Sequence, residues 1–159
     1  MYDTALTDFP AQIQEPRLGR LYAYWLERKG IRRYPARRDL DPVDLRYLLG
    51  HLLLVDVLRD PLRFRVRLHG AEMAARARYD LTGKFIDELP DPDYRDYVLR
   101  RCEGLVASGE PLVIRRGRTI EGHPWPYEAL WLPLSDNDSE VTMLLAAMVY
   151  DEASRRSPR

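Results

Sequence analysis

The side chains best suited to acid–base, nucleophilic or metal chemistry are three histidines, His51, His69 and His123, and one cysteine, Cys102. No histidine has a second His or Cys three or four residues away and there is no cysteine pair, so the spacing describes no metal site. There is no G-x-S-x-G elbow, no phosphate-cradling glycine-rich loop, and no Ser or Cys with a neighbouring His. The carboxylates Asp87 and Glu88, and Asp136 and Asp138, sit in ordinary helix and turn contexts. Two charges, however, interrupt apolar patterns: Asp56 in a strand and Arg101 in a helical stripe. A buried charge is costly unless paired. The expectation is that Asp56 and Arg101 pair across a cavity or mark the polar end of a ligand pocket, or that Arg101 snorkels to solvent. Asp56 with His69 is the one candidate acid–base pair for a small cavity enzyme.

These residues must be positioned by elements that periodicity reveals. Residues 1–14 lack a pattern and read as a mobile lead-in. Pro16 suits a helix start, and Leu18, Leu21, Tyr22, Trp25 and Leu26 form one stripe ending at Gly30. A basic connector with Pro35 follows. Asp41-Pro42 opens a second short helix carrying Val43, Leu45, Leu48 and Leu49, which completes an N-terminal helical segment over 15–50. Strands are expected over 52–58 and 64–69, the second with Phe64, Val66 and Leu68 alternating against arginines. Short helical turns follow Gly70 and begin at Phe85. Asp93 caps a longer helix over 94–108, stopped by Gly109, with Tyr94, Tyr97, Val98, Arg101, Cys102, Leu105 and Val106 on one stripe.

Three more strands end the chain: 112–121 with a bulge at Gly117, 125–134, and 141–150. The last is apolar on both sides and belongs in mid-sheet. The helices between the second and third strands cover one face, so helix 18–29 is the candidate cover for the other, on its own sheet or a partner's. The core spans 51–151, and 152–159 is a charged tail.

A chain of 159 residues, 45% hydrophobic and 31% charged, fits one globular domain. Lys+Arg and Asp+Glu are both 25, so a nucleic-acid reading lacks basic excess. It survives only as a rival that would use Arg63, Arg65, Arg67 and the run 115–118. Trp125, Tyr127 and Trp131 on one strand face read as core or dimer packing, or as a stacking surface. One cysteine excludes an internal disulfide, and neither a signal peptide nor a membrane span is visible. A cytoplasmic, soluble protein is expected.

In YW at 24–25, DLDPVDLRYLLGHLLLVDV at 39–57, FRVRLHG at 64–70, DLTGKFIDEL at 80–89, GEP at 109–111 and YEALWLPLSD at 127–136 followed by LLAAMVYDE, the chain resembles a PAS domain. More closely it is similar to small alphaproteobacterial stand-alone PAS-like proteins. The resemblance implies an α+β fold, a five-stranded antiparallel sheet with helices over one face, a cavity between them, and a signalling role; the missing catalytic motifs add the expectation that the protein is not an enzyme. The resemblance also implies dimers through the N-terminal helix and sheet. The residues themselves then suggest a homodimer through Leu18, Leu21, Tyr22, Trp25 and Leu26, a partner protein that carries the output, and a small-molecule pocket at Phe64, Val66, Leu68, His69, Met73, Tyr97, Arg101 and Asp56. Flavin photoreceptor relatives carry a reactive Cys after the second strand, where this chain has none. Haem relatives use a His on the long helix, and 94–108 contains none. The cofactor is therefore unassigned.

Overall fold

The computed structural model describes residues 9–120 and 122–151. Strands β1 (Leu52–Leu58), β2 (Arg63–His69), β3 (Leu112–Ile120), β4 (His123–Leu134) and β5 (Met143–Tyr150) form one antiparallel sheet in the order β2-β1-β5-β4-β3. The last strand is central because it is apolar on both faces, and every residue of β5 is buried. Helices α3 (Ala71–Ala77) and α4 (Pro92–Ser108) lie between β2 and β3 in sequence and pack on one face, here called inner. Register and burial place Leu53, Val55, Tyr127, Trp131, Met148 and Tyr150 on that face. The alternate residues Leu130, Leu132 and Leu134 point to the outer face and are fully buried.

What buries them is the chain's own N-terminus. Helix α2 (Pro16–Lys29) packs on β4, with Leu18 and Leu21 at 0% exposure and the Trp25 indole Nε1 donating to the Pro133 carbonyl at 2.9 Å. Each such leucine contributes about 1.5–3 kcal/mol on burial. Pro16 occupies the first helical turn and Glu15 accepts from the Arg17 amide, which fixes the helix start.

Several expectations are corrected. Residues 9–14 are docked: helix α1 (Phe9–Gln12) buries Phe9, whose ring lies 4.9 Å from that of Tyr22. Residues 1–8 and the tail 152–159 lie outside the described residues. Segment 41–50 is a series of turns with one 3₁₀ turn, Arg46–Leu48. Its bonds span three residues, after Asp41 Oδ1 takes the Val43 amide at 2.9 Å. That tighter winding buries Leu45 and Leu48 and leaves Val43 and Leu49 exposed. The cap of α4 is Asp91, whose Oδ1 accepts from the amides of Asp93 and Tyr94, with Pro92 in the first turn. Strands β3 and β4 pair without a register shift through Gly117, which faces Pro126.

The bulge is elsewhere. Leu54 pairs with Leu68 and Val55 with Val66, so Arg67 has no partner of its own on β1. Past that residue the inside–outside alternation inverts. At the end of β2, Gly70 follows so closely on the Gly50 carbonyl that a Cβ there would collide with it.

If α2 is an internal cover, Leu21→Ala should cost about 2–5 kcal/mol by chemical denaturation. Leu26→Ala, at a 39% exposed position, should stay within about 0.5 kcal/mol. Equal small losses would mean that α2 does not seal the sheet.

Candidate functional site

Two sites on opposite faces of the sheet collect the chain's unusual polar groups. On the inner face, α3, α4 and the 79–89 loop enclose a cavity of about 30 Å³, bordered by His69, Met73, Tyr79, Tyr94, Trp131 and Tyr150. That is room for a water or two, against the ~300–1,000 Å³ usual for ligand sites. His69 is buried there, and its Nδ1 accepts the Leu81 amide at 3.1 Å, which puts the ring proton on Nε2. Its ring stacks on Tyr79 at 6.3 Å, with the Asp80 carboxylate 3.7 Å from Nδ1. Two hydrogen bonds from Thr82, with the nearby Lys84 adding to them, hold the Asp80 carboxyl below its usual range.

The bulge puts His69 inside. Without it the Phe64, Val66, Leu68 alternation would continue inward; with it Leu68 turns outward and is 42% exposed. Forgoing that leucine costs on the order of 1 kcal/mol. The expected pocket is thus divided. His69 and Met73 line the cavity. Phe64 and Val66 are buried on the inner face away from it, and Leu68 is on the other face. Tyr97 and Arg101 sit beside β3, where the Arg116 guanidinium covers the Tyr97 ring at 3.6 Å and that of Arg101 lies 4.9 Å from it.

Asp56 is on the outer face, opposite Arg65, and does not meet Arg101. Its carboxylate lies 3.5 Å from Arg65 Nη2 and 3.1 Å from Arg67 Nε. Asp56 and His69 therefore face opposite sides of the sheet, and the pair named for a cavity enzyme does not form. The arginines named for nucleic acid are also engaged: Arg63 forks onto Asp87 at 2.9 Å through both nitrogens, and Arg115 reaches Glu128 at 2.8 Å.

Glu128 is the residue that sequence reasoning missed. It is buried on β4, and Oε1 accepts the amides of Gln14 and Glu15 at 3.0 and 2.9 Å while Oε2 takes Arg115. One carboxylate thus ties the entry of α2 to the sheet. An open groove of about 560 Å³ runs past it, bordered by Gln14, Arg115, Pro126 and Asp151. The signal was present: a lone acid among apolar residues in a strand, of the kind Asp56 displays. A comparable clamp lies at the far end of α2, where Asp138 Oδ1 accepts the amides of Arg33 and Tyr34.

Cys102 on α4 is fully buried and does not line the cavity; burial, with Glu103 nearby, pushes its thiol far up. Among the described residues no group of three or more His, Cys, Asp or Glu is arranged to hold a metal ion. No helix among them is long and apolar enough to cross a membrane.

The family described as PAS domain matches residues 13–149. The chain belongs to the PAS domain family. One solved structure agrees on the fold, and others are more distantly alike. The PAS domain of Bordetella pertussis BvgS superposes with a TM-score of 0.52 at 18% identity, covering 65% of this chain and 79% of that one. A sensory box sensor histidine kinase from Vibrio cholerae gives 0.49 at 17% identity over 69% of this chain and 91% of that one. A Rhodobacter sphaeroides LOV protein gives 0.48 at 14% over 71% and 69%. No curated protein matches. A PAS domain is a sensory fold of signal transduction, and here its inner face carries the cavity while its outer face carries α2.

Two measurements check this geometry. Glu128→Ala should destabilise by about 1–3 kcal/mol through the orphaned amides. It should also speed hydrogen exchange at Gln14 and Glu15 while leaving β1 and β2 unchanged; uniform exchange would show that the carboxylate is not a local clamp. Cys102 should resist maleimide in the native protein and react only on unfolding, whereas rapid native labelling would contradict its burial.

Proposed function

We propose that this PAS domain is a non-catalytic regulatory module in which the contents of the inner cavity are read out by α2 on the outer face. One observation carries the reading: β4 and β5 are lined on both sides, so that Trp131 borders the cavity while its neighbours Leu130 and Leu132 bear on α2. A ligand that enlarges a 30 Å³ cavity must displace inner-face side chains of those strands. In a close-packed layer such a shift is felt on the other side. A ligand can move α2 only by its differential affinity for the two packings. The cavity lining favours a small, largely apolar molecule with one or two polar atoms able to meet His69 and the tyrosine hydroxyls of Tyr79, Tyr94 or Tyr150.

A homodimer completes the reading, with output to another protein in the cytoplasm. Leu18, Leu21 and Trp25 are consumed inside the chain, so the helix would present Leu26 and the partly exposed Tyr22 to a second copy. Deleting residues 1–30 would uncover Leu130, Leu132 and Leu134, so a point substitution separates dimerisation from folding more cleanly.

Two experiments test this. By light scattering the protein should be a dimer that Leu26→Glu converts to a monomer; a wild-type monomer or an unaffected dimer contradicts the interface. Native mass spectrometry of protein from its own host should show a retained small molecule. Ala77→Leu, which fills the cavity wall, should lose it. An empty wild-type protein, or equal retention by the variant, contradicts ligand sensing.

A further inference from the structure

The bulge at Arg67 has a second consequence on the outer face. It aligns Leu68 with Arg65 and Arg67 on a part of the sheet that α2 does not reach, since α2 packs on β4 at the other side of β5. Leu68 is 42% exposed, and the side chains of Arg65 and Arg67 are 46% and 56% exposed. Among the described residues Asp56 is the one carboxylate paired with either arginine, and it is buried beneath them. Two guanidiniums sharing one acid leave a positive excess and outward N–H donors. Exposed Leu49 lies at the same end of the sheet, because Gly50 accepts the Glu72 amide and Leu52 accepts that of Gly70.

We propose that this face binds an acidic amphipathic segment of a partner protein, with an apolar side chain on Leu68 and carboxylates on Arg65 and Arg67. The positive excess selects an acidic occupant, and guanidinium forks suit carboxylates. A second copy is disfavoured, since isologous packing of this patch would set arginines against arginines. Strand addition is blocked as well: the Gly83 amide donates to the Val66 carbonyl at 2.7 Å and the Val66 amide to Lys84 at 2.8 Å, closing the free edge of β2. The contact must therefore be made by side chains on the sheet face, as an amphipathic helix makes it. The proposal does not depend on any ligand in the cavity.

The test is an amide chemical-shift titration of the labelled full chain with two synthetic helical peptides, one of alternating Leu and Glu faces and one with every Glu replaced by Lys. The acidic peptide should shift amides in β1 and β2, bind at least tenfold tighter than the basic one, and weaken with added salt. Leu68→Asp, at an exposed position whose folding the same spectrum reports, should reduce its affinity at least tenfold. Should that variant unfold, Leu68→Ser takes its place with the same expected direction. Absence of shifts, shifts centred on α2, equal binding of the basic peptide, indifference to the Leu68 change, or a single-stranded RNA 12-mer binding the same amides would each overturn the proposal.

Discussion

Strands β4 and β5 are apolar on both faces, and that constraint shapes the rest of the molecule. A sheet whose centre is apolar on both sides must be covered twice. The helices between β2 and β3 supply one layer, and the N-terminus has to supply the other. Hence α2 behaves as a core element: its Leu18, Leu21 and Trp25 are buried as deeply as the strand they cover. Carboxylates secure it at both ends, Glu128 before the first turn and Asp138 after the last. A helix held at two ends over β4 is positioned to respond to what lies on that strand's other side.

The second organising feature is the one-residue bulge in β2. It exchanges a leucine for a histidine on the inner face, a substitution that stability alone does not favour. The exchange places His69 against the 79–81 loop, where its ring nitrogen satisfies a buried amide, and it sets Leu68 beside two arginines outside. Both faces of the sheet acquire distinctive chemistry from that single insertion.

Much of this was legible in the residues. Strand positions followed from alternation, the central place of β5 from its two-sided apolarity, and the start and stop of α2 from Pro16 and Gly30. The failures share a cause. The pattern Phe64, Val66, Leu68 is a faultless period of two, and nothing in it marks where the chain slips by one residue, because the slip is set by pairing with β1. The same slip carried the pocket assignment of Leu68 with it. Asp56 and Arg101 were rightly singled out as charges in apolar runs, but each found a nearer partner, from an adjacent strand and from Tyr97, than the one across the sheet. Glu128 escaped notice because its partners are backbone amides far away in sequence.

The central claim is that the two faces of β4–β5 are mechanically joined. A double-mutant cycle in stability between Trp131→Phe on the cavity side and Leu21→Ala on α2 measures that join directly. The two changes touch opposite layers, so independent layers would give additive losses within about 0.3 kcal/mol, which would contradict the account. A joined sheet predicts a coupling of about 0.5 kcal/mol or more.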